Sequence, residues 1–248
     1  MSYVFDSTRR PCDKRRWRTL VTIAPMGTLY LVRHGQASFG ADDYDQLSPL
    51  GRQQAVRLGE YWRERGQRFD AVLLGTLRRH VQTLEGIAEG LPGLPEPIAL
   101  PGLNEYDSHA LIRAIHTEPL QKPDTPELYR HHFRLLCDAI AQWMAGVISP
   151  QGMPSWNAFA AGVRGALDKV RHEHAGQNVL LVSSGGPIST AVGEVLGTAP
   201  EVTIALNMRI RNSAVTEFSV SPKRMMLQTF NTLPHLNEAQ HAVMVTHA

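Results

Sequence analysis

The chain has 248 residues, 43% of them apolar, with a formal net charge of +2. That length can bury one sizeable core, so a single domain is the default; two cysteines, Cys12 and Cys137, do not make a disulfide framework and fit a reducing, cytoplasmic compartment. No apolar run approaches the length of a membrane span, and the charge is uneven. Residues 1–25 hold Arg9, Arg10, Lys14, Arg15, Arg16 and Arg18 against Asp6 and Asp13, a net of +4 that leaves −2 for the rest and argues against a nucleic-acid surface on the body.

The basic head lacks the apolar stretch of a secretory signal. Met26 opens "MGTLYLVRHG", which reads as a natural start, so residues 1–25 are expected to be a disordered extension or an upstream mis-start, with one domain over 26–248. "TLYLVR" predicts a strand running into Arg33, His34 and Gly35. "LSPLGRQQAVRLGEYWRERG" predicts an amphipathic helix with Ser48 as N-cap, Pro49 at its first position and Ala55, Leu58, Tyr61 and Trp62 on its apolar face. "DAVLLGT" is a short apolar strand, and "LRRHVQTLEGIAEGL" a helix leaving it. "PIAL" is a short strand in a Pro/Gly-rich loop. Residues 109–148 read as mostly helical, "WNAFAAGVRGALDKVRHEH" as another helix, "NVLLVSS" as a buried strand, and "GGPISTAVGEVLG" as the helix after it. "SAVTEFSVSP" and "RMMLQTFN" predict a closing strand pair. Strands alternating with helices imply an α/β fold, a three-layer α/β/α sandwich on a mostly parallel sheet.

Three strand-to-helix junctions carry chemistry. The first is Arg33-His34-Gly35. In "GTLRRHVQT", Arg78 and Arg79 stand at a helix start, where the dipole and free N–H groups already favour an anion. In "LLVSSGGPIS", a strand delivers Ser183, Ser184, Gly185 and Gly186 to another helix start. In an open α/β sheet such junctions lie along one edge. Arginine forks holding a phosphoryl group around a histidine nucleophile make a phosphoryl-transfer site that requires no metal.

Other nucleophiles are poorly framed. Cys12 and Arg18 have cysteine-phosphatase spacing, but the bulky, charged "DKRRW" between them cannot wrap a phosphate in backbone N–H groups. Ser184 stands on a strand-turn-helix without the G-x-S-x-G of a serine hydrolase. The pairs His131-His132 and His172/His174 lack the four-residue spacing of helical zinc ligands.

"LYLVRHG", "LSPLGRQQA", "LRRHVQT" and "GLNEY", in that order over residues 27–236, resemble the histidine phosphatase superfamily, the clan of the cofactor-dependent phosphoglycerate mutases. The resemblance implies a phosphoglycerate mutase-like fold with a helical excursion at about residues 106–176 lidding the site. It implies His34 as the residue phosphorylated, Arg33 and Arg79 as phosphate ligands, and Glu105 as proton donor. Arg79 rather than Arg78 takes that role because it lies four residues before Thr83. Asn231 and His235 in "NTLPHL" resemble the family's closing segment. Where the family carries a second histidine before the Gly pair, this chain has Ser184, so Ser184 and Gly185 are the expected phosphate contacts there, with a weakened clamp. His80, His109 and His116 are the candidates to replace the lost imidazole, and a Ser184→His variant that turns over faster would mark a weakened clamp.

The implied function is a phosphomonoesterase acting through phosphohistidine on a small phosphorylated substrate, with no cofactor, metal, nucleic acid or membrane. The mutase alternative fits less well, because its Arg-His-Tyr-Gly-like run after the acid is here "YDSH". A phosphate-binding or regulatory protein that has lost catalysis is the alternative from another class. Neither the oligomeric state nor the individual phosphoester is legible.

Overall fold

The structure, a computed structural model, describes residues 26–38, 45–118, 120–121 and 124–247. Expectations for residues 1–25, including Cys12, lie outside the described residues.

Six strands form one sheet in the order β3-β2-β4-β1-β5-β6. They are β1 (Gly27–Arg33), β2 (Ala71–Leu74), β3 (Pro97–Ala99), β4 (Asn178–Ser183), β5 (Val215–Val220) and β6 (Met225–Thr232). The strands β1, β2, β3 and β4 are mutually parallel, and β5 turns back antiparallel to β1 and β6. A mostly parallel sheet and its closing hairpin are thus as the sequence predicts. Strands β2 and β4 are buried along nearly their whole length, as expected of strands covered on both faces.

Alternate side chains of each strand point to opposite faces and into separate cores. On one face Val32, Val72, Leu74, Leu180 and Val182 pack against Ala55, Leu58 and Trp62 of α1 (Pro49–Glu64) and Leu84 and Ile87 of α2 (Arg78–Gly90). On the other, Leu29, Leu31, Leu73 and Leu181 meet α3 (Ser108–Ile115), α4 (Pro126–Met144), α5 (Trp156–Glu173), α6 (Gly185–Leu196) and α7 (Pro200–Asn207). The three layers are therefore present. Ser48 caps α1, accepting from the Gly51 N–H at 3.0 Å, with Pro49 opening the helix.

The stretch expected to be mostly helical over 109–148 is so, as two helices, because Thr125 caps a fresh start at Leu128 N and Pro126 occupies its first position. Helix α7, read as no element in the sequence, forms after Pro200. It is short, its N-cap Ala199 offers no side-chain oxygen, and Thr203 and Ile204 are its buried contacts. Its existence rests on packing against α6 and α4 more than on local signals.

Candidate active site

The carboxyl ends of β1, β2 and β4 lie side by side. Arg33 pairs in register with Ser183, and Leu74 with Val182, so the residues after each strand emerge at one edge.

Backbone and side-chain bonds pin the Arg33-His34-Gly35 turn. His34 N–H donates to the Ser183 carbonyl at 2.9 Å, and Ser213 N–H donates to the His34 carbonyl at 3.2 Å. Gly35 N–H donates to Thr83 Oγ1 at 3.1 Å, and that hydroxyl donates to the Arg79 carbonyl at 2.7 Å. Gln54 accepts from Gln36 N–H, and Gln82 from Leu47 N–H. The residues flanking the chemistry in "GRQQA" and "VQT" thus brace the loop. A Cβ on Gly35 would stand 2.3 Å from the Gly51 carbonyl oxygen, so the turn and the start of α1 touch backbone to backbone.

The His34 imidazole is buried, and Nδ1 lies 2.7 Å from the Gly35 carbonyl. A carbonyl only accepts, so Nδ1 carries the proton and Nε2 keeps its lone pair. Burial, then the positive charges of Arg33 and Arg79, hold its pKa well below 6.5, and the ring is neutral at neutral pH. Both guanidiniums are buried. Arg33 Nη1 donates to the Ile210 carbonyl, and Arg79 Nη1 pairs with Asp45 Oδ1 at 2.7 Å. Arg78 is exposed, and its backbone N–H donates to Asp45 Oδ2 at 2.9 Å. The two neighbours differ in burial: Arg79 is buried and Arg78 exposed.

Glu105 follows a short 3-10 helix, Pro101–Leu103, whose Gly102 lies so close to Gly162 of α5 that a Cβ would stand 2.8 Å from that backbone. This contact lets the helical layer set the height of the acid. Its carboxylate is deep, accepting from Gly186 N–H at 3.1 and 3.2 Å at the start of α6, although the residue keeps some exposed surface. Burial raises its pKa above 4.5, against the lowering effect of that N–H and of Arg79 and Arg33. A Cβ at Gly186 would meet Glu105 Oε1 at 2.1 Å, so glycine is what admits the carboxylate. Gly185 plays the same part toward Asn207, whose Oδ1 would lie 2.6 Å from a Cβ there. Asn207 in turn donates to the Tyr106 hydroxyl at 2.7 Å.

Ser184 lies fully buried in the same edge, with its Oγ 2.7 Å from Nε2 of His80. The His80 ring centroid is 5.8 Å from that of His34. Of the histidines expected to stand in for the missing one, His109 is exposed, and His116 stacks edge-on with His131 at 6.2 Å. Among the described residues, His80 is the one of these three whose ring meets Ser184. His235 is buried against Ser213 at 2.9 Å, beneath the turn that binds the His34 carbonyl. Asn231 accepts from Arg211 N–H and donates to the Arg209 carbonyl. Among the described residues, no group of three or more His, Cys, Asp or Glu is placed to hold a metal ion, and no helix is long and apolar enough to cross a membrane.

Thr83, Gln54, Gln82, Asn207 and His80 are the site residues that sequence reasoning used only as spacing markers or left unplaced. Thr83, Gln54, Gln82 and His80 have membership in the motifs as their one sequence signal, which says nothing of direction, and Asn207 has none.

A mostly parallel three-layer sandwich with an Arg-His-Gly turn at the end of its central strand is the architecture of a phosphoryl-transfer fold. The family model of the histidine phosphatase superfamily (branch 1) matches residues 29–233, and the chain belongs to that family. Over 61 residues it is 38% identical to the broad-specificity phosphatase YOR283W of Saccharomyces cerevisiae; the stretch covers 22% of this chain and 26% of that protein. In structure it is similar to a phosphoglycerate mutase from Bacillus anthracis, with a TM-score of 0.61 and 17% identity over 86% of this chain and 96% of that one. It is also similar to a mutant phosphoserine phosphatase from Entamoeba histolytica in complex with phosphoserine, with a TM-score of 0.60 and 19% identity over 85% and 99% of the two chains. At these identities the structural likeness speaks to the fold.

Proposed function

We propose that this protein is a metal-independent, cytoplasmic phosphomonoesterase that works through a phosphohistidine at His34. The observation that carries this reading is an imidazole kept neutral by its burial and by two guanidiniums, with its proton held on Nδ1 by a carbonyl and a protonatable carboxyl at the same edge. A neutral ring so fixed presents the Nε2 lone pair as nucleophile.

Nε2 of His34 attacks phosphorus in line, forming an N–P bond as the ester P–O bond breaks. Arg33 and Arg79 neutralise the equatorial oxygens. Glu105, whose burial favours the protonated carboxyl, gives its proton to the leaving oxygen and releases the alcohol. In the second step Glu105, now ionised, takes a proton from water. The water oxygen displaces His34 from phosphorus, giving inorganic phosphate and restoring both residues. Tyr106 stands beside Glu105 and contacts Trp143 and Phe159 edge-on, at 5.7 and 6.1 Å. This couples the acid to the helical excursion of residues 106–176, which we assign as the lid of the single domain and the source of specificity. The relatives named above support a small phosphorylated substrate.

The test is phosphate release from a panel of phosphoesters by wild type, His34→Ala and Glu105→Gln, with acid-labile phosphate on the quenched protein as a second readout. Turnover that vanishes in His34→Ala, with label on wild type, supports the reading. Binding of phosphoesters without release leaves a binding protein, and transfer to an added phosphoglycerate in preference to water leaves a mutase.

A further inference from the structure

Ser184 occupies the N-cap position of α6, where a serine hydroxyl ordinarily accepts a helix N–H. Here it makes no such bond. Its Oγ is 2.7 Å from Nε2 of His80, and both residues are fully buried. His80 comes from the first turn of α2, 104 positions away in sequence, directly after Arg79. The imidazole fits because residue 75 is glycine: a Cβ there would stand 2.3 Å from His80 Nδ1. Nδ1 lies against the Gly75 backbone, close enough to feel its carbonyl without a well-formed hydrogen bond. A buried imidazole has thus been given space by one glycine and aimed at a hydroxyl beside His34. The phosphoryl-transfer mechanism assigns it no task.

We infer that His80 and Ser184 act as one composite donor to the phosphoryl group, His80 Nε2–H donating to Ser184 Oγ so that the serine O–H is turned onto a phosphoryl oxygen. The inference rests on the reading of this edge as a phosphate pocket and names the part that supplies its remaining contact. A serine hydroxyl has one proton. If it donates to Nε2 it is lost to the anion, and if Nε2 donates to it, it is available. His80 thereby decides the direction of the bond, which makes it a positioning residue that acts through Ser184. The charged or titratable groups around His80 are Arg79 on its own helix and His34 at the end of β1. Asn104, beside Gly75, and Ser184 face it as neutral polar groups. Arg33 acts on His34 in turn, and Arg79 on Glu105. Burial, and after it the charge of Arg79, keeps the His80 ring neutral in the free protein. A bound dianion reverses the local field and draws a proton onto the imidazole.

The experiment uses tungstate, a tetrahedral dianion that does not titrate near neutrality and needs no turnover. Side-chain 15N spectra of the wild-type histidines, assigned with His80→Gln, are recorded with and without tungstate. Calorimetry in buffers of different ionisation enthalpy counts protons taken up on binding. The expected result is protonation of Nε2 of His80 on binding, and a proton uptake that is smaller in His80→Gln. Gln keeps an N–H at the corresponding reach and should hold tungstate within a few-fold of wild type. Ser184→Ala and His80→Phe should each weaken it about ten- to a hundredfold, the loss of one charge-assisted donor. The double variant His80→Ala/Ser184→His, which returns an imidazole to position 184 and clears space for it, should recover affinity that Ser184→His alone does not. An unshifted wild-type His80 Nε2 with tungstate bound overturns the inference, the variant serving only to assign the signal. So does a proton count equal in wild type and His80→Gln, or Ser184→His binding more tightly than wild type. A protein without phosphatase activity whose tungstate affinity depends on His80 leaves this inference standing while the enzymatic reading falls. Turnover through His34 with tungstate binding indifferent to His80 and Ser184 does the reverse.

Discussion

Lowering the pH from 7 to 5 should destabilise this protein sharply, through buried histidines. His80 and His235 are held near a pKa of about 3, chiefly by burial, with Arg79 acting on the first and Arg57 on the second. A histidine whose folded pKa lies below its unfolded value stabilises the fold fully above the unfolded pKa. It loses that contribution as the pH falls toward the folded one. At pH 5 the unfolded chain has protonated both rings, with pKa near 6.5, while the native state has protonated neither. Each site then costs 1.36 kcal/mol per pH unit below 6.5, about 2 kcal/mol, or about 4 kcal/mol for the pair. Both rings are essentially without solvent contact, so screening does not reduce this much. The lowered pKa of His34 adds in the same direction. Glu105 opposes it, since a raised carboxyl pKa adds stability as it is protonated. Against a typical total of about 5–15 kcal/mol the loss is large, and an m-value of about 3 kcal/mol/M makes it a drop of about 1 M in the urea midpoint. Urea melts of wild type and His80→Gln/His235→Gln at both pH values are the assay. The double variant should lose most of the difference. An equal drop in both proteins would show that these rings titrate normally and that the burial argument is wrong.

The pH dependence of kcat/KM should be bell-shaped with an acidic optimum, because the first step needs His34 neutral and Glu105 protonated; Glu105→Gln, which cannot titrate, should lose the alkaline limb, and its retention would assign that limb elsewhere. Glu105→Gln should also lower turnover of alkyl phosphates by about 10²–10⁴-fold but that of p-nitrophenyl phosphate far less, since a good leaving group needs no proton; equal losses on both would remove Glu105 as the acid. Gly186→Ala places a methyl carbon 2.1 Å from Glu105 Oε1 and should displace the acid, reproducing the Glu105→Gln substrate pattern without changing the urea midpoint as much as a core deletion. Trp143→Ala, which empties a fully buried aromatic site between α4 and α5, should cost about 3–5 kcal/mol in the same melts.

Much of the architecture is legible locally. Ser48 and Pro49 announce α1 because capping and a fixed proline φ act within four residues. "NVLLVSS" announces a buried strand because a covered strand needs apolar residues on both faces. Arg33 and His34 at a strand end, and Arg79 at a helix start, stand in the sequence with their chemistry visible. What the sequence left open concerns direction. Arg78 and Arg79 are adjacent and alike until α2 is laid against β4, which turns one inward and leaves the other in solvent. Helix α7 is held by neighbours and has no strong cap of its own. The loss of the expected histidine at position 184 reads as a defect along the chain. Only the parallel register of β2, β4 and β1 brings Gly75, His80, Ser184 and His34 to one edge, where an imidazole from α2 meets the Ser184 hydroxyl. A one-dimensional pattern records spacing along the backbone, whereas hydrogen bonds and buried charge depend on distances that the sheet alone sets.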